Sequence, residues 1–557
     1  MHSYAQILFD LPLETAFTYA IPEPLASAVA VGKRVIVPFG RRKLTGFIID
    51  LVAEAPAEYE IKEIIRVIDK EVLYGEETIT LARWLADYYL CSHGQALSLM
   101  IPTGRKESEI PALSFSDEYS STPIHTLSAE QAEAIATIKT GGPGIYYLHG
   151  VTGSGKSEVY LQIAESVIAS GKSVIYLVPE ITLTHQLAEL VRDRFAGNVA
   201  VLHSALTPSQ RLREWKKIHN DEVSLVIGAR SAVFAPFNNL GLIIIDEEHE
   251  NSYKSGSTPR YHARQVAQHR VQQNSGILLM GSATPSLEAY RLMHESKLIT
   301  AIRLRERVAG GTLPAVEVVD MKYENHLISR RLSSEIQRTL AAGRQVILFL
   351  NRRGFSYYFH CDSCGYELSC PHCAVALTYH KRKHTMICHY CGYQSRPVQT
   401  CPSCNSVDVS YSGFGTEMVE QEVASLFKTA RIARLDTDST QKKGELAATI
   451  DAFRKGEIDI LLGTQMVAKG LNFPKVDLVG IVNADSGLNI PDFRSQERTF
   501  SLLVQVSGRA GRYSADGRVI IQTHNPQNPA IAYAVAGDVD GYYQAELAVR
   551  KETGFPP

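Results

Sequence analysis

The sequence predicts an α/β protein with two lobes that each contain a parallel β-sheet, a small N-terminal β-rich domain and a cysteine-rich insert in the second lobe. Short apolar segments alternate with longer mixed segments from residue 126 onward, which is typical of strands covered on both faces by helices. A phosphate-binding motif stands between one of these strands and a helical segment. Eight of the nine cysteines lie between Cys361 and Cys404. These observations together predict the architecture.

The composition limits the class of protein. A chain of 557 residues can form several domains, each with its own hydrophobic core. A net charge of −2 gives no support for nucleic-acid binding by bulk charge, so a DNA or RNA site would have to be a local basic surface. No apolar run approaches the roughly 18 residues of a membrane span, and the N-terminus lacks the pattern of a secretory signal. We therefore expect a cytoplasmic protein, in which clustered cysteines bind metal rather than form disulfides.

The N-terminal β-rich domain is predicted over residues 1–104. Its runs "YAQILFDL", "RVIVPFG" and "TGFIIDL" are apolar or alternating and are separated by Pro and Gly, as in a set of short strands. The segment Thr78–Leu90 has apolar residues at helical spacing and predicts an amphipathic helix. Residues 105–125 are polar and rich in Ser and Pro, which predicts a linker.

The first lobe is predicted over residues 126–331, with buried strands at "GIYYLHG", "SVIYLVP", "SLVIGAR", "LGLIIID" and "GILLMGS". The second lobe begins over residues 332–360 with "QVILFL", is interrupted by the insert at 361–404, and continues over 405–540. Residues 541–557 are predicted to start a C-terminal region that is truncated.

The segment "GVTGSGKS" predicts a nucleotide-phosphate site. Backbone N–H groups of such a loop surround phosphate oxygens at the start of a helix, where the helix dipole favours anions. Lys156 would contact the β- and γ-phosphates of ATP, and Ser157 would hold Mg²⁺. The predicted phosphate-binding residues are Gly150, Val151, Thr152, Gly153, Ser154, Gly155, Lys156 and Ser157.

The segment "LIIIDEEH" predicts the acidic half of the same site. Asp246, at the end of a buried strand, would coordinate Mg²⁺, and Glu247 would orient and deprotonate the attacking water. An apolar strand that ends in acids is otherwise often a solvated strand end, but here it follows a phosphate-binding loop. His249 either transmits the nucleotide state or simply packs.

The segment "QVSGRAGR" near the end of the second lobe places Arg509 and Arg512 one helical turn apart. Arginines supplied across a cleft neutralise charge on the transferred phosphate, so hydrolysis would depend on closure of the two lobes. A solvated basic helix is the alternative interpretation.

The cysteine spacing predicts two closed metal sites, since each C-x₂-C pair can place two thiolates on one tetrahedral ion. A hairpin between Cys373 and Cys388 would bring the inner four cysteines to one zinc ion, and the outer four would bind a second. The inner set is Cys370, Cys373, Cys388 and Cys391, and the outer set is Cys361, Cys364, Cys401 and Cys404. An iron–sulfur cluster is the alternative. Four-thiolate sites leave no open position for catalysis, so the metal is expected to stabilise a short insert with little core. The basic turn "HKRKH" either contacts phosphates or a partner, or is solvated.

The order of these motifs resembles that of superfamily 2 helicases, which have two RecA-like lobes. The resemblance implies that Gln131 in "TLSAEQAEAI" contacts adenine and that Gln505 contributes to the nucleotide site. It further implies DNA contacts or coupling at segments that include "GSATPS", "LNRRGF" and "LLGTQMVAKGLNFP". The residues implied are His249, Ser282, Thr284, Arg352, Arg353, Thr464 and Lys469.

A narrower resemblance is to the PriA family (primosomal protein N′) of bacterial replication-restart helicases, carried by "IDEEHENSYK", "YHARQ", "PDFRSQERTF" and the placement of the cysteine insert. It implies 3′-to-5′ translocation on single-stranded DNA at stalled or abandoned forks, driven by ATP with Mg²⁺, and the same nested pairing of cysteines on two Zn²⁺. The implied partners are forked DNA, primosome proteins and the replicative helicase loader. The N-terminal domain resembles the family's 3′-end-binding domain, with a pocket at Phe17, Thr18, Gly40 and Lys62.

Three departures from the family are visible in the sequence. The linker stands where relatives have a winged-helix domain, and Pro259 replaces an aromatic residue. The sequence stops at "KETGFPP", so either it is a fragment or the C-terminal domain is absent, which bears on any contact with single-strand-binding protein. Two alternatives to a helicase therefore stay open: a DNA-dependent translocase without productive unwinding, and a fork-binding scaffold for primosome proteins.

Overall fold

The computed structural model describes residues 3–54, 61–108, 127–179, 191–204, 206–308, 314–350, 357–361, 363–364, 366, 368–372, 377–380, 384–388, 391–411, 416–435, 445–464, 473–488, 490, 492–510 and 516–557. The chain folds as two compact units. The first unit contains Met1–His149, Lys156–Ser282 and Ser296–Leu304, and the second contains Gly150–Gly155, Ala283–Glu295 and Arg305–Pro557.

The N-terminal part of the first unit is a five-stranded antiparallel sheet in the spatial order β2-β1-β4-β3-β5. Its strands are β1 (Tyr4–Phe9), β2 (Phe17–Ala20), β3 (Arg34–Phe39), β4 (Arg42–Val52) and β5 (Arg66–Val67). Ile7, Val35 and Ile48 are fully buried in its core. Branched and aromatic side chains suit a sheet with one buried face, and the predicted β-rich domain is confirmed.

Two helices complete this part, α1 (Glu76–Tyr89) and α2 (His93–Met100). Helix α1 starts at Glu76 rather than at the predicted Thr78, because acidic residues in a first turn are stabilised by the helix dipole. The α1 residue Glu77 pairs with the buried Arg270 at 2.9 Å, and Trp215 Nε1 donates to Leu73 O at 2.8 Å. The N-terminal part is therefore packed on the rest of its own unit.

The remainder of the first unit is a seven-stranded sheet in the order β12-β6-β11-β10-β7-β9-β8. Its strands are β6 (Gly144–Gly150), β7 (Ser173–Leu177), β8 (Val199–Leu202), β9 (Leu225–Gly228), β10 (Leu240–Asp246), β11 (Ile277–Ser282) and β12 (Thr300–Leu304). The pairs from β6 to β8 in this order are parallel. Its helices are α3 (Ala129–Gly141), α4 (Lys156–Ala169), α5 (Pro208–His219) and α6 (Ala263–Gln273). Every predicted apolar strand of this lobe is a strand in the sheet, and β8 and β12 were not predicted.

The second unit contains a six-stranded sheet in the order β13-β24-β23-β14-β22-β21, whose pairs are parallel. In chain order the strands of this unit are β13 (Ala315–Asp320), β14 (Gln345–Leu350), β15 (Tyr357–Tyr358), β16 (His360–Cys361), β17 (Thr378–His380), β18 (Thr385–Ile387), β19 (Gln394–Ser395), β20 (Val409–Ser410), β21 (Ile432–Leu435), β22 (Ile460–Gly463), β23 (Val476–Asn483) and β24 (Arg518–Thr523). Strands β15 to β20 belong to the cysteine-rich region and form two small sheets. The predicted α/β class with parallel sheets and a cysteine-rich insert is confirmed.

The helices of the second unit are α7 (Leu287–Arg291), α8 (Arg330–Ala341), α9 (Thr416–Leu426), α10 (Glu445–Lys455), α11 (Asp485–Leu488), α12 (Ser495–Ser507), α13 (Pro529–Ala536) and α14 (Val539–Thr553). The segment before α7 is fixed by two later helices of the same unit. Leu287 N–H donates to Glu497 Oε1 at 3.1 Å, and the Tyr543 hydroxyl donates to Pro285 O at 2.6 Å. Among the described residues, no helix is long and apolar enough to cross a membrane.

Candidate active site and metal-binding clusters

The phosphate-binding loop connects β6 to α4. Gly153 (φ +87°) and Gly155 (φ +76°) adopt left-handed backbone conformations that a side chain would strain. Ser154 N–H donates to Val151 O at 3.1 Å, which closes the turn, and α4 starts at Lys156. The first N–H groups of a helix have no partner within the helix itself, and the helix dipole favours an anion there. The local backbone therefore suits a phosphate.

Two acids of the first unit stand at the end of the buried strand β10, Asp246 as its last residue and Glu247 directly after it. Burial, and then repulsion from Glu247, raise the pKa of Asp246 to about 7, while the Lys156 ammonium opposes this shift. A carboxyl that is desolvated beside a second carboxylate is stabilised by a cation, so Asp246 fits the role of a Mg²⁺ ligand. Glu247 has φ +47°, a conformation that is costly for a residue with a side chain and that is common at functional sites.

Glu247 is linked to the segment "GSAT" by hydrogen bonds inside the first unit. Ser282 Oγ donates to Glu247 Oε2 at 3.1 Å. Because that hydroxyl carries one proton, the contact of 2.7 Å between His249 Nδ1 and Ser282 Oγ requires that the histidine donates. The bond from Ser282 orients the carboxylate of Glu247, and His249 in turn orients Ser282. We call Glu247, Ser282 and His249 the acid–serine–histidine cluster.

A second network around the acids was not predicted from the sequence. Glu248 is 2% exposed and forms an ion pair with Arg264, and Tyr147 donates its hydroxyl to Glu248 Oε2 at 3.2 Å. The hydroxyl of the buried Tyr253 lies 2.7 Å from Asp246 O. These contacts hold the end of β10 to α6, β6 and the segment that follows the acids. The segment "YHARQ" contains Arg264, but its local sequence pattern does not indicate which acid pairs with Arg264.

Gly281, in the strand next to Asp246, leaves space for a neighbouring ring. A Cβ at this position would lie 2.0 Å from Tyr160 Oη and 2.9 Å from Leu148 O. Tyr160 is fully buried, and burial together with the charge of Asp246 raises its pKa well above the usual value.

The other predicted nucleotide contacts are placed as follows. Gln131 Oε1 accepts from Ser128 N–H at 2.9 Å in a capping box at the start of α3, so a contact from this side chain to adenine would use its amide nitrogen. Gln505 Nε2 lies 3.5 Å from Thr284 Oγ1 within the second unit. Both side chains are buried.

The arginine-bearing turn follows α12. Gly508 packs against the phosphate-binding loop in the second unit, since a Cβ on Gly508 would lie 2.7 Å from Thr152 Oγ1. Arg509 is the next residue, and its N–H donates to Val506 O at 3.0 Å. Arg512 lies outside the described residues.

The predicted DNA-contact and coupling residues are only partly described. Ser282 and Thr284 are fully buried, and Thr464 at the end of β22 is 8% exposed. Arg352, Arg353 and Lys469 lie outside the described residues, so their positions stay predictions.

The outer four cysteines converge on one point. The Sγ atoms of Cys361, Cys364, Cys401 and Cys404 all lie within 4.8 Å of one another. The Sγ atoms of Cys361 and Cys404 are 3.6 Å apart, as are those of Cys364 and Cys401. Tetrahedral zinc with Zn–S of about 2.3 Å has sulfur atoms roughly 3.8 Å apart, so this cluster fits a Zn²⁺ ion.

Three of the inner four cysteines also converge. Cys370, Cys388 and Cys391 form a second group, with Cys370 Sγ and Cys391 Sγ 3.7 Å apart. Cys373 lies outside the described residues. The predicted hairpin is present, because β17 pairs antiparallel with β18. The residues of the basic turn, 381–383, also lie outside the described residues.

The residues of the predicted 3′-end pocket come from β2, from the turn between β3 and β4, and from the segment before β5. Phe17 packs on Phe39 with ring centroids 5.3 Å apart, and Phe39 precedes Gly40, where a Cβ would meet no atom within 4 Å. Thr18 Oγ1 accepts from Gln6 Nε2 at 3.1 Å, a contact that the sequence did not predict. The exposed Lys62 is tied to β2 through its carbonyl, which accepts from Ala20 N–H at 2.9 Å.

Comparison with known proteins identifies the class. Residues 128–292 match the model of the DEAD/DEAH box helicase family, and residues 382–514 match that of the helicase conserved C-terminal domain. Residues 6–102 match a 3′ DNA-binding domain. The parallel-sheet lobes, the phosphate-binding loop and the acids after β10 thus belong to a superfamily 2 DNA helicase with ATPase activity, and the helicase domains imply use of ATP and Mg²⁺.

Relatives that match over the whole of this chain identify the family. The chain is 51% identical to replication restart protein PriA of Treponema pallidum over 100% of this chain and 85% of that protein. It is 36% identical to replication restart protein PriA of Bacillus subtilis over 100% of this chain and 88% of that protein. A solved structure of RecG bound to a three-way DNA junction is similar with a TM-score of 0.46 and 17% identity, over 76% of this chain and 47% of that chain. The chain belongs to the PriA family of replication restart helicases, as the sequence resemblance predicted.

Proposed function

We propose that this protein is a 3′-to-5′ DNA helicase that recognises stalled or abandoned replication forks, opens duplex DNA there and initiates primosome assembly. The observation that carries the proposal is the acid–serine–histidine cluster, in which the residue proposed to activate water is hydrogen-bonded to the "GSAT" segment. In a motor, the position of the hydrolytic group has to change with the conformation of a second element of the lobe. The hydrogen bond between Ser282 and Glu247 is proposed to couple the two.

The proposed hydrolytic step uses residues of both acidic and basic character. Glu247 accepts a proton from the attacking water, while Ser282 keeps its carboxylate oriented. Asp246 and Ser157 would hold Mg²⁺, which supplies positive charge to the phosphate oxygens when bound. Lys156 neutralises the β- and γ-phosphates.

Arg509 and Arg512 are proposed to complete the site from the second lobe. The packing of Gly508 against Thr152 supports this, because Gly508 directly precedes Arg509 in the turn that carries the arginines. An arginine in this role contributes about 10³- to 10⁵-fold in rate in related phosphoryl-transfer enzymes. We propose further that Gln131 and Gln505 contact the nucleotide, and that Thr284, Arg352, Arg353, Thr464 and Lys469 contact DNA or transmit its presence.

The N-terminal domain is proposed to capture the 3′ end of a nascent strand with Phe17, Thr18, Gly40 and Lys62. The aromatic ring and the open side of Gly40 suit a terminal base and sugar, and the Thr18 hydroxyl retains its own proton for donation. The cysteine clusters are proposed to hold two Zn²⁺ ions, with Cys373 as the fourth ligand of the inner one. The insert would then serve strand separation and the binding of primosome proteins and the helicase loader.

The experiment that tests the proposal is ATP hydrolysis and strand displacement, each with and without forked DNA that has a defined 3′ end. Lys156→Ala should abolish DNA-stimulated hydrolysis and strand displacement while fork binding stays measurable. Lys139→Ala, an exposed lysine at the end of α3, is the matched control and should retain both activities.

The same assay separates the alternatives. Stimulated hydrolysis without displacement by the unmodified protein would indicate a translocase, and fork binding without hydrolysis would indicate a scaffold. Hydrolysis by Lys156→Ala at the unmodified rate would contradict the assigned phosphate site.

A further inference from the structure

Helix α1 carries a row of aromatic rings that the proposed mechanism does not use. Trp84 stacks on His269 of α6 with centroids 4.0 Å apart and planes 7° apart. On the same helix, Tyr88 stacks on Trp84 at 5.2 Å with an angle of 23°. Tyr88 is 56% exposed. The row therefore begins between two packed helices and ends in a ring that faces solvent.

Packing alone explains the inner rings but not the outer one. Trp84 and His269 fill the junction between α1 and α6, and Tyr89 contributes its hydroxyl, which accepts from His262 N–H at 3.0 Å. Tyr88 adds less to this junction, since more than half of its surface stays in water. Its side chain is held by stacking on Trp84 and by an edge contact with Tyr89 at 4.9 Å. The exposed ring is thus preorganised, which lowers the cost of stacking a ligand on it.

One cation, Lys254, lies beside the aromatic row, and a second, Arg260, lies in the same segment. Lys254 Nζ is 5.2 Å from the centroid of the Tyr89 ring and donates to the carbonyl oxygen of Arg260. Both Lys254 and Arg260 are exposed. The acid next to Tyr88 in the chain is Asp87, which is exposed. Glu77, another acid of α1, is paired with Arg270. Among these exposed residues the two cations, Lys254 and Arg260, outnumber the one acid, Asp87, although the chain as a whole is slightly acidic.

A solvent-facing ring next to exposed cations is the combination that binds single-stranded nucleic acid. Bases stack on the ring irrespective of sequence, and the cations contact the phosphates on either side. A protein partner would instead be expected to meet an apolar patch with few charges at its centre. The charges beside Tyr88 therefore favour a nucleic-acid strand as the occupant.

We propose that Tyr88, supported by Trp84 and close to the segment that carries the exposed Lys254 and Arg260, is a stacking site for an unpaired base of single-stranded DNA. The site is distinct in its residues from the predicted 3′-end pocket, and it lies where the N-terminal domain packs on α6 and on the segment after the acids. This stacking site rests on the proposed function only because its ligand, like the substrate of the proposed helicase, is DNA. A DNA strand held at Tyr88 would lie over the hydrogen bond from His262 N–H to the Tyr89 hydroxyl, which helps to hold the segment after the acids in place.

The first test is equilibrium binding without nucleotide to an oligothymidylate with a 3′-phosphate, which removes any contribution from recognition of a free 3′-hydroxyl. Tyr88→Ala should weaken binding by about 5- to 100-fold, the range expected for loss of one stacked base. Tyr88→Phe should bind as the unmodified protein does, because the ring and not the hydroxyl forms the site. Tyr323→Ala removes another exposed tyrosine, 79% exposed in the second unit, and should have no effect.

The second test places 2-aminopurine in the oligonucleotide. Stacking on Tyr88 should change its fluorescence at one position of the bound strand, and Tyr88→Ala should abolish that change. Lys254→Ala and Arg260→Ala should each reduce the slope of log affinity against log salt by about 0.7, as for one phosphate contact on a single strand. Unchanged affinity and unchanged fluorescence in Tyr88→Ala would overturn the proposal, as would failure of Tyr88→Phe to bind.

Failure of this inference can be told from failure of the proposed function. Tyr88→Ala should retain DNA-stimulated ATP hydrolysis at saturating forked DNA, because the described contacts of Tyr88 are with Trp84 and Tyr89 and not with the hydrolytic residues of the first unit. Lys156→Ala should retain the fluorescence change while losing hydrolysis. Loss of hydrolysis in unmodified protein with the fluorescence change intact would contradict only the helicase proposal.

Discussion

Strand β10 of the first unit has six consecutive buried residues before Asp246, whereas the strands of the cysteine-rich insert are two or three residues long. The core of the seven-stranded sheet is made of branched aliphatic and aromatic side chains such as Ile244 and Tyr176. Among the residues that the structure describes in the cysteine-rich region, the buried core consists of Phe359, Leu377, Met386 and four cysteines. The two regions are therefore stabilised by different means: apolar burial in the sheet and, we expect, thiolate–metal bonds in the insert.

The largest expected effect comes from removing metal. A chelator, or Cys401→Ser, should unfold the insert, because structural zinc contributes about 10 kcal/mol or more to the folding of a domain with so small a core. The sheets of both lobes should stay folded and hydrolyse ATP. Hydrogen exchange resolved by peptide, together with zinc content, measures this.

Cys91→Ser provides the control for this experiment, since Cys91 lies far from the insert in the chain and should not alter zinc content. An insert that keeps its exchange protection without metal would remove the distinction between the two regions.

The second effect concerns the buried ion pair next to the proposed catalytic acids. Arg264→Ala leaves Glu248 buried without its cation and should lower the free energy of unfolding by about 3 to 5 kcal/mol. Hydrolysis should fall as well, because the end of β10 loses its attachment to α6. Thermal unfolding and ATP turnover measure the two consequences.

Arg291→Ala is the matched control, since its partner Glu295 is 59% exposed in its side chain and such exposed pairs contribute about 0 to 1 kcal/mol. An equal loss of stability in both variants would mean that burial of the pair is unimportant.

The third effect compares the two cores directly. Ile244→Ala in β10 should destabilise the first unit by about 2 to 5 kcal/mol, because the cavity lies in a closely packed sheet. Met386→Ala in the insert should leave global unfolding unchanged and only raise hydrogen exchange locally while zinc is bound. A global loss from Met386→Ala comparable to that of Ile244→Ala would show that apolar packing governs both regions.

The sequence predicted those features that have a local pattern. Continuous apolar runs predicted the buried strands, glycine spacing predicted the phosphate-binding turn, and paired cysteines around a hairpin predicted how two clusters would assemble. Each depends on residues close together in the chain, so a single window contains the information.

Other features depend on which strands become neighbours. Ser282 reaches Glu247 because β10 and β11 are adjacent and parallel, with Asp246 opposite Gly281. Glu248 reaches Arg264 because α6 packs on β10, and nothing in either local segment specifies that packing. The sequence pattern of α1 predicts an amphipathic helix but not its aromatic row, because the stacking of Trp84 on His269 requires the N-terminal part to dock on the rest of its unit. The order of the strands and the packing of helices on them depend on the whole hydrophobic core, so a short stretch of sequence does not specify them.

The missing side chain at Gly281 has one further consequence. The space a methyl group would take is filled from one side by the hydroxyl of Tyr160 on α4 and from the other by the carbonyl of Leu148 on β6. These are the two elements that flank the phosphate-binding loop in the chain. A single alanine there would have to push the strand and the helix apart at once, so a residue outside the phosphate-binding loop sets the spacing of the two elements that the loop connects.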